Sequence, residues 1–149
     1  MDSGYFYTFL FVHLVSLIIG FGSVLVVDFW GILWLRKKIN TGFLAKIIEN
    51  TTNLIWLGWT GSIASGIGLI VMKGYVDNLT KLKLFFVAMI GINGIFLHSV
   101  QKILAKNGEA PLPPKLKFRI ALGSMISQIS WWGAIFIGFI HRHWQHYIP

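Results

Sequence analysis

Four separate stretches of this chain are each apolar over the roughly 20 residues that a helix needs to cross a lipid bilayer. No other feature constrains the fold as strongly. Hydrocarbon offers no partner to a backbone N–H or C=O, so the spanning segments must be helices or a closed barrel. Runs of this length read as helices. The expectation is an all-α, integral membrane four-helix bundle running up-down-up-down. Spans lie at about 5–35, 52–72, 84–104 and 118–140. These spans and short loops use nearly all of the 149 residues, so residues 1–149 form a single transmembrane domain.

Composition agrees. Hydrophobic residues make up 55% of the chain and charged residues 12%, against about 25% for a soluble domain. There is no cysteine, which excludes disulfides, thiol redox chemistry and cysteine-ligated metal sites. A net charge of +8 is compatible with nucleic acid in a soluble protein. Here the basic residues sit at span ends, where they set topology, and no nucleic-acid partner is expected. The partner is the bilayer itself, in the cell (inner or plasma) membrane, with other membrane subunits or further copies of the chain as additional possibilities.

Span one begins with Tyr5 and Tyr7 and ends with Trp30 and Trp34, aromatic residues suited to the two interfaces. Its N-terminal flank holds Asp2 and no Lys or Arg, so it reads as a retained span rather than a signal peptide. Arg36, Lys37 and Lys38 stop it. Asn40 or Thr41 is the expected cap of the next helix, and Phe43 to Asn53 is expected to be helical and interfacial. Asn78 or Thr80 is the expected cap of the third. Prolines 111, 113 and 114 stiffen the last loop. The loops after spans one and three share Arg36, Lys37, Lys38, Lys46, Lys102, Lys106, Lys115, Lys117 and Arg119, nine basic residues. The other side has four: Lys73, Lys81, Lys83 and Arg142. That asymmetry predicts both termini on the non-cytoplasmic side.

Small residues supply a packing basis. Gly58, Ser62 and Gly66 recur every fourth residue in span two, with Gly61 and Ser65 alongside; span three has Gly91 and Gly94, and span four Ala134 and Gly138. Such spacing lets helix backbones approach where lipid provides no hydrophobic drive.

Ionisable groups inside a span are costly and face the bundle interior. At 100° per residue, Ser16, Gly20 and Ser23 fall within about 80° of His13 on one side, and Asp28 about 60° to the other. On span three, Gly91 and Gly94 lie within about 40° of His98, with Lys83 and Gln101 about 60° away. On span four, Ser124, Ser127, Gln128 and Trp131 form a third polar stripe. Asp28 reads either as an interfacial carboxylate paired with Arg36 or Lys37, or as a group that handles protons or binds a cation. Histidine in a membrane bundle is a common axial ligand for haem iron. His13 and His98 differ by about 15 Å in depth, so one haem clamped between them is not expected. His98 with Met125 or Gln128 of span four, at similar depth, is the better ligand pair; His13 acts with another helix or alone. Structural hydrogen bonding and proton transfer are the other roles open to both histidines. The H-x-H-x-x-H run of His141, His143 and His146 has a spacing that suits a surface copper, nickel or zinc ion, though Trp144 and Tyr147 beside it also fit a plain interfacial tail.

His13 followed by Gly20-Phe21-Gly22 in span one, and the Lys83-to-Asn93-Gly94 stretch in span three, give the chain a layout that resembles small four-span membrane proteins of the HemJ-type protoporphyrinogen oxidase and CopD-like copper-resistance group. The resemblance implies haem b or copper as cofactor, and His13 and Lys83 are the positions it carries over. It departs from the pattern at Asn93, where the third-span histidine falls in that group, and around Gly20, where a tryptophan is expected. The functional expectation is a membrane protein that binds haem, porphyrin or metal through intramembrane histidines, in electron transfer or cofactor handling, with Asp28 and Lys83 managing protons or charge. The alternatives are a non-enzymatic accessory subunit without cofactor, and a small oligomeric transporter or channel.

Overall fold

The computed structural model describes residues 3–107 and 112–144. Four helices account for nearly all of them: α1 (Ser3–Leu35), α2 (Thr41–Lys73), α3 (Asn78–Asn107) and α4 (Pro114–Trp144). No strand occurs among the described residues. All four helices are long and apolar enough to cross a membrane. Side chains such as Phe11, Ile18, Phe29, Ile95 and Phe136 lie exposed on their outer faces. In the α2 window, only 11% of residues are buried within the molecule. Such a surface is untenable in water and suits acyl chains, so this is a multi-pass membrane protein.

The helix ends follow local chemistry. α1 closes in a Schellman turn: Lys37 N–H bonds the Trp34 carbonyl at 2.8 Å and Lys38 N–H bonds the Leu33 carbonyl at 2.9 Å, with Lys37 left-handed at φ 57°. Five residues later Asn40 caps α2, its side chain accepting the Phe43 N–H at 2.7 Å. α2 therefore begins at Thr41, with Asn40 as its cap and residues 43–53 helical as expected, and runs unbroken into the span that begins at about 52. Gly74 ends α2 at φ 79°, donating to the Ile70 carbonyl at 3.0 Å. The cap of α3 is neither Asn78 nor Thr80. Asp77 Oδ1 accepts the Thr80 N–H at 2.9 Å, and Lys73 pairs with the same carboxylate at 3.2 Å across the turn. Pro114 opens α4, where its missing N–H costs nothing.

The tightest seam joins α1 to α2. Phe9 meets Gly68, His13 meets Ser65, Ser16 meets Gly61, Gly20 meets Gly58 and Trp34 meets Thr41. A Cβ on Gly58 would collide with the backbone of Gly20. The small-residue ladder of α2 is thus the face that α1 lies against. α3 and α4 form a second close pair, with Gly123 under Leu97 and Gly133 under Phe86. Between the pairs, Gly91 and Gly94 of α3 receive the rings of Trp59 and Trp56 from α2, and the Trp59 indole donates to the Val87 carbonyl at 3.0 Å. α1 and α4 touch only lightly.

Two apolar clusters fill the interior. One sits at the end carrying the α1–α2 turn, here the lower end, around Leu44 and Leu104, which are 1% and 2% exposed. The other is central: Phe21, Val24, Ile90 and Trp131.

Candidate functional site

The polar groups of the interior gather at two levels. The upper one is built on His13. The ladder of α2 presents the Ser62 carbonyl and the Ser65 hydroxyl to His13 Nδ1, at 3.0 and 3.1 Å. A carbonyl can only accept. The Ser65 hydroxyl already donates to the Gly61 carbonyl at 2.6 Å, so it too accepts from the ring. Nδ1 therefore carries the proton, and Nε2 of the neutral ring presents a lone pair. What it meets is Lys83 Nζ of α3, 3.4 Å away. Gly138 of α4 closes over the amine, since a Cβ there would sit 3.5 Å from Nζ. All four helices contribute to this knot.

The lower level is built on Asp28. Its carboxylate accepts from Ser124 Oγ and Gln128 Nε2, both on α4. Gln128 is held in turn by the Trp132 indole, which donates to its Oε1 at 3.0 Å. Among the described residues no Lys, Arg or His lies within ion-pair distance of Asp28. Its partners are two neutral donors of α4 rather than Arg36 or Lys37.

Beside Asp28 lies a cavity of about 680 Å³ between the helices. Its wall is mostly apolar and carries the tryptophans 56, 59 and 131. Half-exposed Phe29 and Ile32 of α1 and Met125 of α4 belong to the same lining, so the cavity reaches the outer surface where α1 and α4 separate. Its polar groups include Asp28, Asn93, Gln101 and Gln128, and Lys117 also belongs to the lining. The volume falls in the range of about 300–1,000 Å³ that holds cofactor-sized ligands.

Of the expected residues, His13 and Lys83 come together, and so do Asp28 and Gln128. His98, Met125 and Gln128 all line the cavity. His98 is exposed and also borders a shallow groove beside Lys46, Glu49 and Lys102. Gln128 commits both ends of its amide, which leaves Met125 as the cavity residue of that pair with a free donor atom. Fifteen residues of α3 separate Lys83, at the level of His13, from His98, a rise of about 22 Å. The two histidines therefore serve different levels. His141 and His143 fall on the last turn of α4 with their side chains outside the described residues, and His146 lies wholly outside them. Among the described residues, no three His, Cys, Asp or Glu side chains gather to hold a metal ion.

Periodicity places His13 among small residues but gives no hint of Lys83 as its partner. Ser62 and Ser65 enter the sequence reading only as packing residues, yet they set the histidine tautomer. Serines inside a glycine ladder opposite an intramembrane histidine are the available signal. Comparison with protein-family models, curated proteins and solved structures gave no match.

Proposed function

We propose that this chain is a four-span protein of the cell membrane, up-down-up-down with both termini on the non-cytoplasmic side, that takes a flat, membrane-soluble ligand into the Asp28 cavity and works in electron transfer or cofactor handling. The reversed order of contacts along each helix pair supports the topology, and the basic residues of the lower end support the orientation. The observation that carries the functional reading is the cavity itself: cofactor-sized, aromatic-walled and open toward lipid.

Haem or a related porphyrin is the ligand to test first. A single axial residue suffices to hold haem, so the lack of a three-residue metal cluster does not count against it. His98 and Met125 would hold the iron, and the group would supply one-electron chemistry. The chain's own part is to exclude water with its tryptophans and to keep Asp28 hydrogen-bonded at the wall. His13 is committed to Ser62, Ser65 and Lys83, and has no place in this ligand set.

The test is the absorption spectrum of protein purified from haem-replete cells. The haem reading expects a Soret band that is lost in His98→Ala, weakened or shifted in Met125→Ala and kept in His13→Gln. A colourless preparation that takes up no added haem ends that reading.

A further inference from the structure

The charge in the cavity wall bears on what the ligand is. Asp28 sits within the membrane span and keeps a carboxylate at the cavity surface. Ser124 and Gln128 each donate one hydrogen bond to it. A carboxylate has about four acceptor positions, so half of its capacity stays open. Two neutral donors stabilise the anion without cancelling it, and no cation of the protein stands within ion-pair distance among the described residues. Lys117 belongs to the same lining but stands seven residues before Ser124 on α4, a rise of about 10 Å along the helix. His98 is exposed at the border with the neighbouring groove. The carboxylate is therefore the one acidic side chain in a wall that is mostly apolar and aromatic, with neutral polar groups such as Asn93 and Gln101 and the single lysine Lys117.

Two of the four indoles in the lining have their N–H tied up elsewhere, while the Trp131 N–H is buried without a partner. The Trp59 indole N–H is bonded to the Val87 carbonyl at 3.0 Å and the Trp34 N–H to Thr41 Oγ1 at 3.2 Å. Trp56 stands edge-on to Trp59 with ring centroids 5.3 Å apart. The lining thus offers indole carbon surface, which attracts cations through its π-electrons. A carboxylate whose partners are two neutral donors and no cation, beside aromatic faces and an opening to lipid, complements one kind of ligand.

We infer that the cavity binds a lipophilic organic cation: a flat or aromatic body carrying one positive charge, which enters from the bilayer between α1 and α4 and sets its charge against Asp28. The inference rests on the cavity being a site for a flat, membrane-soluble ligand, and it names for that site a ligand class other than haem.

The experiment uses the full chain in nanodiscs and two probes of matched shape and opposite charge, tetraphenylphosphonium and tetraphenylborate, read by tryptophan fluorescence and by equilibrium dialysis. The expected result is saturable binding of the phosphonium and none of the borate. Asp28→Asn, which keeps the size and the hydrogen bond from Ser124, should weaken phosphonium binding by about tenfold or more, as loss of a charge partner in a part-buried site does. Asp28→Glu should stay within a few-fold of the parent, which separates lost charge from lost fold. Asp77→Asn, outside the cavity, should bind as the parent does. Equal binding of both probes, or unchanged binding by Asp28→Asn, overturns the inference. A bound haem that the phosphonium fails to displace overturns it while leaving the cavity as a ligand site. Binding of neither the phosphonium nor added haem removes both readings.

Discussion

His13 Nε2 and Lys83 Nζ stand 3.4 Å apart, seventy residues separated in sequence and on different helices. The contact explains how two ionisable side chains lodge in one membrane interior. The ring is turned by Ser62 and Ser65 so that its lone pair points at the amine, and the amine donates to it. Each removes a cost that the other would carry alone.

Removing the ring should therefore be expensive. His13→Ala removes the acceptor of Lys83 and the N–H that Ser62 and Ser65 accept, and opens a hole beside Gly66. A loss of about 2–3 kcal/mol is expected, read as a lower unfolding midpoint in detergent. Nitrogen NMR of labelled histidine should report a protonated Nδ1 and an unprotonated Nε2 for His13 in the neutral ring. The reverse tautomer would contradict the assignment.

The α1–α2 seam gives a paired prediction. Gly58→Ala puts a methyl group into the backbone of Gly20, and should cost about 1–3 kcal/mol because no flexible side chain can give way. Gly22→Ala meets nothing within 4 Å. It should be neutral, or stabilising by up to about 1 kcal/mol through better helix propensity. Thermal unfolding of the two variants side by side decides it.

Lys37 holds a left-handed conformation at the end of α1 without being glycine. Lys37→Gly should relieve that strain and raise stability by about 0.5–1 kcal/mol. Any decrease in unfolding midpoint would show that the side chain contributes more than its backbone costs.

Asn40 stands at the opposite end of the same turn. Asn40→Ala removes the acceptor for the Phe43 N–H and should cost about 1 kcal/mol. Asn40→Ser should restore most of it. Local exchange of the Phe43 amide is the specific readout.

The parts legible in the sequence are those governed by local chemistry. Spans follow from apolar length, and Asn40 is recognisable because it stands directly before a helical pattern. The ladder of α2 shows in its four-residue spacing. Hydropathy alone would start α2 later, because Lys46, Glu49, Asn50 and Thr51 depress it, and the capping residue is what marks the start at Thr41. Asp77 is hidden by the adjacent Asn78 and Thr80, two equally good capping residues. The pairing of His13 with Lys83 depends on how α1 and α3 are rotated about a common axis, which the periodicity of either helix alone does not contain. The cavity is less legible still. It is lined by residues of all four helices where α1 and α4 touch only lightly, and a space between helices leaves no mark on any one of them.

The uneven seams give the molecule a mechanical character. α1 with α2, and α3 with α4, make two stiff hairpins, the first locked backbone to backbone at Gly20 and Gly58. What joins hairpin to hairpin is side-chain contact: indole rings resting on glycines, His13 against Lys83, and a carboxylate reaching across to a serine and a glutamine. Strain from outside, such as a change in bilayer thickness or lateral pressure, would be absorbed at that joint, and the space beside Asp28 would widen or narrow with it.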